Sequence, residues 1–409
     1  MEDTIIFIFK EKNERNKCIA LFLLFAAWFL GYIDRVAINV AMIPIGKEFI
    51  FDSKQIGMIM GSFFASYSFM QILGGWLADR YGSIKILIVC ILLWSLFTSL
   101  TGVAWSFLSL VSFRFIFGIG EGAFPAASSV WIADTFSNDK RARAKAWLLS
   151  TAGLGSAFGT LVVASLLGIW GWRNIFLLLG ILGVIIAILS WYFLRTISCG
   201  EKQIKEPKKV PIKQLIHISL IWKLTTIWFG AGIVNWGLLS WMPSYWINVK
   251  QLSMVSMGIA MTIPALGLFL SINIGGWILD KYLVGREKYL LIAGTSITAV
   301  CLYLMFNASS IALGVIYMTL AMAANGITGA VVFALPLKYL PQKTIGSSTG
   351  LINFGGQLAG MVAPIAMGFM INKWNGSYSV AFDFLIIWSC ISFLTSISLE
   401  ASKQSLDEK

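Results

Sequence analysis

Gly75-Trp76-Leu77-Ala78-Asp79-Arg80-Tyr81-Gly82-Ser83-Ile84-Lys85 decides how this chain is read, because a second version follows it. That version is Gly276-Trp277-Ile278-Leu279-Asp280-Lys281-Tyr282-Leu283-Val284-Gly285-Arg286, with Asp280 placed 201 residues after Asp79. In each, a glycine pair lets helices approach, an acid and a base sit at helix ends, and a further glycine turns the chain in a short loop. One copy alone is an ordinary tight turn. Recurrence in the matching loop makes the chain two versions of one unit.

Both copies lie between long apolar runs. The chain has 409 residues, 58% apolar and 12% charged, with 17 Trp and 29 Phe, far outside the soluble range. Twelve segments are long enough to cross ~30 Å of hydrocarbon as helices at ~1.5 Å per residue. They run over 17–45, 52–78, 84–104, 107–134, 141–168, 173–195, 217–247, 254–280, 287–307, 311–339, 344–372 and 379–400. Runs of this length are helices and not barrel strands. The first run continues into charges without a cleavage pattern, so it is expected to stay in the mature protein.

The net charge of +12 raises a nucleic-acid partner, and the placement of the cations removes it. With the N-terminus inside, 24 of the 31 Lys and Arg fall in cytoplasmic segments and five outside; the other two, Arg35 and Arg114, lie within spans. This asymmetry puts both termini in the cytoplasm. Cys18, Cys90, Cys199, Cys301 and Cys390 have no metal or redox spacing and read as packing or loop residues. No metal and no cofactor is expected.

The doubled G-x-L-A-D-R-x-G pattern in a twelve-span chain resembles the signature of the major facilitator superfamily. The resemblance implies an all-α membrane protein of two six-helix bundles related by a pseudo-twofold axis, with substrate held near the midplane. It sets the bundles at 1–195 and 217–409, joined by a lysine-rich cytoplasmic linker at 196–216. It also gives Gly75, Asp79, Arg80, Gly82 and Asp280 a gating or structural role and makes a monomer the expected state.

Charge inside the spans is sparse. Gly31-Tyr32-Ile33-Asp34-Arg35-Val36-Ala37-Ile38-Asn39 sets an acid and a base side by side in the first span. Two such charges near the bilayer midplane cost roughly 5 to 7 kcal/mol before pairing or water offsets it. The fourth span carries Arg114-Phe115-Ile116-Phe117-Gly118-Ile119-Gly120-Glu121-Gly122-Ala123-Phe124-Pro125. Arg114 and Glu121 share a helix face but stand ~10.5 Å apart along the axis, too far to pair with each other. Asp34 and Arg35 are the evident partners, whether the set works as a site or only locks helices together. The glycines and Pro125 allow a close approach or a kink. The second half has no such set. Its span residues Asn235, Asn273, Asn325, Asn353 and Gln357 are neutral, suited to substrate hydroxyls or to helix contacts.

Arginine keeps its charge and offers forked donors to a carboxylate, so an organic anion is the natural ligand. Burial favours the neutral form of Asp34 and Glu121 while a neighbouring Arg favours the carboxylate, so the two acids suit proton exchange. Tyr-Ile-Asp-Arg in span one with Arg-x6-Glu in span four resembles the anion:cation symporter family, which includes sugar-acid transporters, sialin and vesicular glutamate carriers. That resemblance implies proton coupling at Asp34 and Glu121, substrate carboxylate at Arg35 and Arg114, and substrate contacts at Tyr67 and Asn353; Gln357 lies one turn from Asn353. The expectation is proton-coupled uptake of a small organic anion across a bacterial inner membrane.

Three alternatives compete with this expectation. An exporter of an organic acid or carboxylate siderophore fits the same charges, though the fifth span has Gly155-Ser156-Ala157-Phe158-Gly159 and no Gly-Pro pair. A membrane sensor would need a larger soluble domain than loops of about 20 residues provide. An enzyme lacks its groups: there is no Ser/His/Asp set, metal-spaced cluster or phosphate loop, and the single His217 lies at the linker edge.

Overall fold

Segments too apolar for water and free of strand alternation become helices, and a computed structural model shows them. It describes residues 2–197, 217–282, 285–341 and 344–399, without the side chains of 2–13, 138, 139, 142 and 280. The helices are α1 (Glu2–Glu48), α2 (Ser53–Tyr81), α3 (Ser83–Gly102), α4 (Phe107–Gly122), α5 (Phe124–Thr135) and α6 (Asn138–Leu194). They continue with α7 (Ser219–Asn248), α8 (Met254–Tyr282), α9 (Glu287–Phe306), α10 (Ile311–Tyr339), α11 (Ile345–Lys373) and α12 (Ser379–Ile397). No strand occurs among the described residues.

Twelve spans follow from these helices. α4 and α5 are one span interrupted at Ala123, and α6 holds two. Arg143–Leu194 has 52 residues, far more than one crossing needs, and Gly171 breaks it at φ 71 and ψ 162. A Cβ is disfavoured in that backbone region, so glycine sets where span five turns into span six. Ten candidates are long and apolar enough to cross a membrane among the described residues. α7 is not one of them, because its five Trp and Pro243 lower its mean hydropathy. The linker expected at 196–216 falls almost entirely outside the described residues.

Packing divides the chain into two compact units. Unit 1 comprises Met1–Ala41, Ser62–Gly159 and Leu166–Lys205; unit 2 comprises Met42–Gly61, Thr160–Ser165 and Glu206–Lys409. In unit 1, α3 packs on α4 and α5. In unit 2, α10 lies against α8 and α9, and α7 against α11 and α12. Small residues set the close approaches. A Cβ on Gly57 would stand 2.4 Å from the Pro364 carbonyl oxygen, and one on Gly232 2.8 Å from the Ala359 Cβ. Where lipid gives no hydrophobic drive between helices, such contacts and buried hydrogen bonds hold the bundle. Trp241 Nε1 donates to Pro364 O at 3.1 Å, and Asn325 Nδ2 to Ala231 O at 3.0 Å, a helix contact.

Candidate functional site

Four charged side chains meet in the interior of unit 1. Asp34, Arg35, Arg114 and Glu121 are 2%, 6%, 1% and 0% exposed. They form two crossed pairs between α1 and α4. Arg114 Nη2 donates to Asp34 Oδ1 at 2.9 Å, and Arg35 Nε donates to Glu121 Oε2 at 2.9 Å. The seven-residue spacing on α4 and the adjacency on α1 therefore each supply one acid and one base, and the set is neutral as a whole.

The two pairs are held differently. Asp34 uses both oxygens, accepting from Arg114 and from the Thr98 hydroxyl. Arg114 also reaches Thr101 Oγ1 at 3.5 Å and lies over the Phe117 and Phe176 rings, 4.7 and 5.2 Å from their centroids. Arg114 Nε has no hydrogen-bond partner among the described residues, and in the second pair an open atom is found on the acid as well as on the base. Arg35 Nη2 stands 2.9 Å from Glu121 Oε1, yet neither atom has a well-directed hydrogen bond. Arg35 is instead ringed by aromatic faces: Tyr32 at 4.4 Å, Tyr67 at 4.5 Å and Phe63 at 5.1 Å. A guanidinium over aromatic faces keeps its charge stabilised without spending its donors.

The glycines around Glu121 explain how α4 comes so close. A Cβ on Gly118 would meet Ser66 Oγ at 2.2 Å and Phe63 O at 2.4 Å, and one on Gly122 would meet Met70 Cβ at 2.6 Å, so both ride on α2. Gly120 faces α3, with Trp94 N at 2.9 Å. On α1, a Cβ at Gly31 would lie 2.8 Å from Glu121 Oε1, so that glycine leaves room for the carboxylate. Pro125 has no N–H for the Glu121 carbonyl four residues back, and the Ala123 N–H bonds it instead. The helix breaks there into α4 and α5.

The profile of the Major Facilitator Superfamily matches residues 20–399. The chain belongs to that superfamily. Among its relatives, the probable sulfoacetate transporter SauU of Cupriavidus necator is 32% identical over 381 residues, covering 87% of each chain. The hexuronate transporter of Bacillus subtilis is 27% identical over 390 residues, covering 90% of this chain and 91% of its own. A solved bacterial homologue of the human lysosomal transporter Spinster, inward-facing and occupied, superposes with a TM-score of 0.84 at 19% identity, covering 95% of this chain and 99% of its own. This facilitator is thus an integral multi-pass membrane transporter and not an enzyme.

The doubled loop of this facilitator is doubled in space as well. Arg80 lies over Trp76 and Tyr81 at 5.1 and 5.5 Å, and Lys281 over Trp277 and Tyr282 at 5.2 and 5.3 Å. Gly74 packs against Ala123 and Gly275 against Ile327, whereas a Cβ on Gly75 or Gly276 would meet nothing within 4 Å. Gly82 turns the chain at φ 92. Asp79 and Arg80 are exposed, and the side chain of Asp280 lies outside the described residues.

Tyr67, 2% exposed, lies under the Arg35 guanidinium, which stands 4.5 Å from its ring centre. Asn353 and Gln357 stand on α11 in unit 2. There Gln357 Oε1, Asn235 Oδ1 and Trp228 Nε1 are buried atoms without a hydrogen-bond partner. The sequence reading passed over Thr98, Thr101, Tyr32 and Phe63. Thr98 and Thr101 are three apart on α3, a one-face spacing that polar residues in an apolar span make visible. It also passed over Glu287, 4% exposed, which takes the Lys338 ammonium, the Gly285 N–H at 2.8 Å and the Tyr339 hydroxyl at 3.4 Å at one end of unit 2.

Proposed function

We propose that the chain takes up a small organic anion together with protons by alternating access across a bacterial inner membrane, with both termini cytoplasmic, acting as a monomer. The observation that carries this reading is the crossed set of two buried acid–arginine pairs, in which both Asp34 oxygens accept hydrogen bonds while Glu121 Oε1 has none that is well directed. The set is neutral with both acids ionised. A proton on Glu121 leaves it with one net positive charge and frees Arg35 for a carboxylate, so proton and anion bind in the same state. Asp34 and Arg114 repeat the exchange as the second pair, with Tyr67 lining the anion. The partnerless polar atoms near Asn353 and Gln357 suit substrate hydroxyls, since buried polar groups find partners. Sulfoacetate and hexuronates, named for two relatives, are both compact acids.

The rigid bodies of the transport cycle are the bundles 1–195 and 217–409, joined by 196–216, with Gly75, Asp79, Arg80, Gly82 and Asp280 bracing one of the two states. Exit in place of uptake would use the same pairs with the opposite proton direction.

Purified protein in detergent, screened by thermal stabilisation against sugar acids, dicarboxylates, sulfonates, amino acids and citrate-type siderophores, tests the anion. An acid should raise the unfolding temperature by mass action in the wild type and not in Arg35→Ala. Stabilisation only by neutral or cationic compounds, equal in the variant, would refute it. For the proton, Glu121→Gln in proteoliposomes should abolish pH-driven accumulation and keep substrate exchange. Equal loss of both makes Glu121 structural.

A further inference from the structure

α8 and α10 part on the side of unit 2 away from its core. With α9 crossing back between them, both helices start at the same membrane face and run parallel. They close at Gly267, where a Cβ would stand 2.9 Å from Thr319 Cγ2. Toward their starts lies a groove of about 500 Å³, walled by Leu252, Ile259 and Ile263 on one side and Ile311, Ile316 and Leu320 on the other. Ile259, Ile263, Ile316 and Leu320 are about half exposed, while Met257, Met261, Met318 and Met322, two residues away on the opposite helix faces, are buried. The groove therefore looks out into the bilayer and not into the bundle.

Its length and chemistry say what fills it. Leu252 to Ile263 covers about 16 Å along the axis and Ile311 to Leu320 about 13 Å, close to the ~15 Å of hydrocarbon in one leaflet. The two wall hydroxyls are already bonded: Ser256 Oγ accepts from Ser253 Oγ at 2.9 Å, and Thr319 Oγ1 donates to Val315 O at 2.7 Å. Nothing on the walls recognises a charged solute, and water does not settle in an apolar cavity. An empty groove would forfeit dispersion contacts along both walls. A helix from a second copy would run the full ~30 Å and meet the half that Gly267 and Thr319 close. At the open end, residues 248–256 and 307–313 carry Lys250 and no Asp or Glu.

We infer that this groove is a phospholipid site, with one acyl chain lying between α8 and α10 down to Gly267 and Thr319 and the headgroup phosphate beside Lys250. Lipid passes every exposed span face. This one differs in being concave, walled on two sides, closed at one leaflet's depth and rimmed by a cation with no acid to oppose it. The site stands apart from the charged set of unit 1 and does not depend on what the chain transports.

Phosphatidylglycerol with a photoactivatable group on one acyl chain, in nanodiscs holding the full chain, tests it. Labelled residues should concentrate at 252–263 and 311–320 and saturate at a low mole fraction of the probe, while label on other exposed span residues rises in proportion to it. Ala312→Trp, which fills the groove, should lower the groove label at least about fivefold. Ile297→Trp, on an exposed part of α9 outside the groove, should leave it unchanged. Lys250→Gln should lower it about fivefold, and should not alter the weaker label from a diacylglycerol probe of the same chain length. Label spread evenly over exposed span residues, or a groove label indifferent to Ala312→Trp, would make this ordinary bilayer contact and overturn the inference. Disulfide-linked dimers that form in Ile316→Cys and not in the wild type would give the groove to a second copy and overturn it as well. Equal label from phosphatidylglycerol and diacylglycerol would remove the phosphate contact and with it the phospholipid assignment.

Discussion

Asp34 and Arg114 show what a buried pair does when one member is lost. Both are nearly inaccessible, and among the described residues Asp34 takes hydrogen bonds from Thr98 and its arginine. Arg114→Ala should therefore lower stability by about 3 to 5 kcal/mol, since the remaining carboxylate is left uncompensated. Adding Asp34→Asn should recover most of that, because replacing both charges removes the desolvation penalty along with the attraction. Reversible unfolding in mixed micelles measures both. A double variant as unstable as Arg114→Ala would mean the charges are not coupled. Transport should fail in both variants, which separates the stabilising part of this pair from its proposed chemistry. At this scale the sequence was legible where charge is rare: four ionisable residues in two apolar spans named their own partners. Thr98 was harder to see, because a threonine in an apolar helix is common on structural grounds alone.

Among elements, the α2–α4 contact separates glycines that matter from glycines that do not. Gly118 meets Ser66 Oγ and Phe63 O below any normal contact distance, while Gly75 on α2 meets nothing. Alanine at Gly75 should stabilise by about 0.5 to 1 kcal/mol through reduced unfolded-chain entropy. Alanine at Gly118 should instead cost about 1 to 3 kcal/mol by overpacking, and should shift α4 enough to weaken anion binding. Unfolding midpoints of the two variants check the opposite signs; the same sign in both would refute the contact. Span positions were legible to within about three residues at most ends, since an apolar run and a bilayer's thickness fix the same length; the exception is α1, which begins at Glu2, well ahead of the apolar run at 17. Breaks inside spans were legible only in part. Pro125 announced the interruption after Glu121 through its missing N–H, but which of the neighbouring glycines touch α2 and which touch α3 depends on partners distant in sequence. The doubled loop shows the same limit: its pattern gave the twofold repeat, and only packing shows that Gly74 and Gly275, not Gly75 and Gly276, carry the helix contacts.

For the whole molecule, the number of acids in the charged set bears on energetics. A monovalent anion entering against an inside-negative potential is opposed by about 2.3 kcal/mol per 100 mV; one proton cancels this and two reverse it. Asp34 and Glu121 each face a guanidinium in unit 1, so the proposed mechanism has two acids that a proton can reach. With a monovalent acid such as galacturonate, uptake should then carry one net positive charge inward. An inside-negative potential of 100 mV should raise accumulation by about fiftyfold at fixed pH gradient, which is the same energy expressed as a concentration ratio. A dianion carried with two protons should move no net charge, so its accumulation should respond to pH alone. Reversal potentials in proteoliposomes distinguish the two cases. Finding no charge movement with the monovalent acid would exclude two-proton coupling and leave one of the acids as a fixed structural charge. Asp34, with both oxygens bonded, would then be the fixed one, and Asp34→Asn would leave the stoichiometry unchanged while Glu121→Gln removed it.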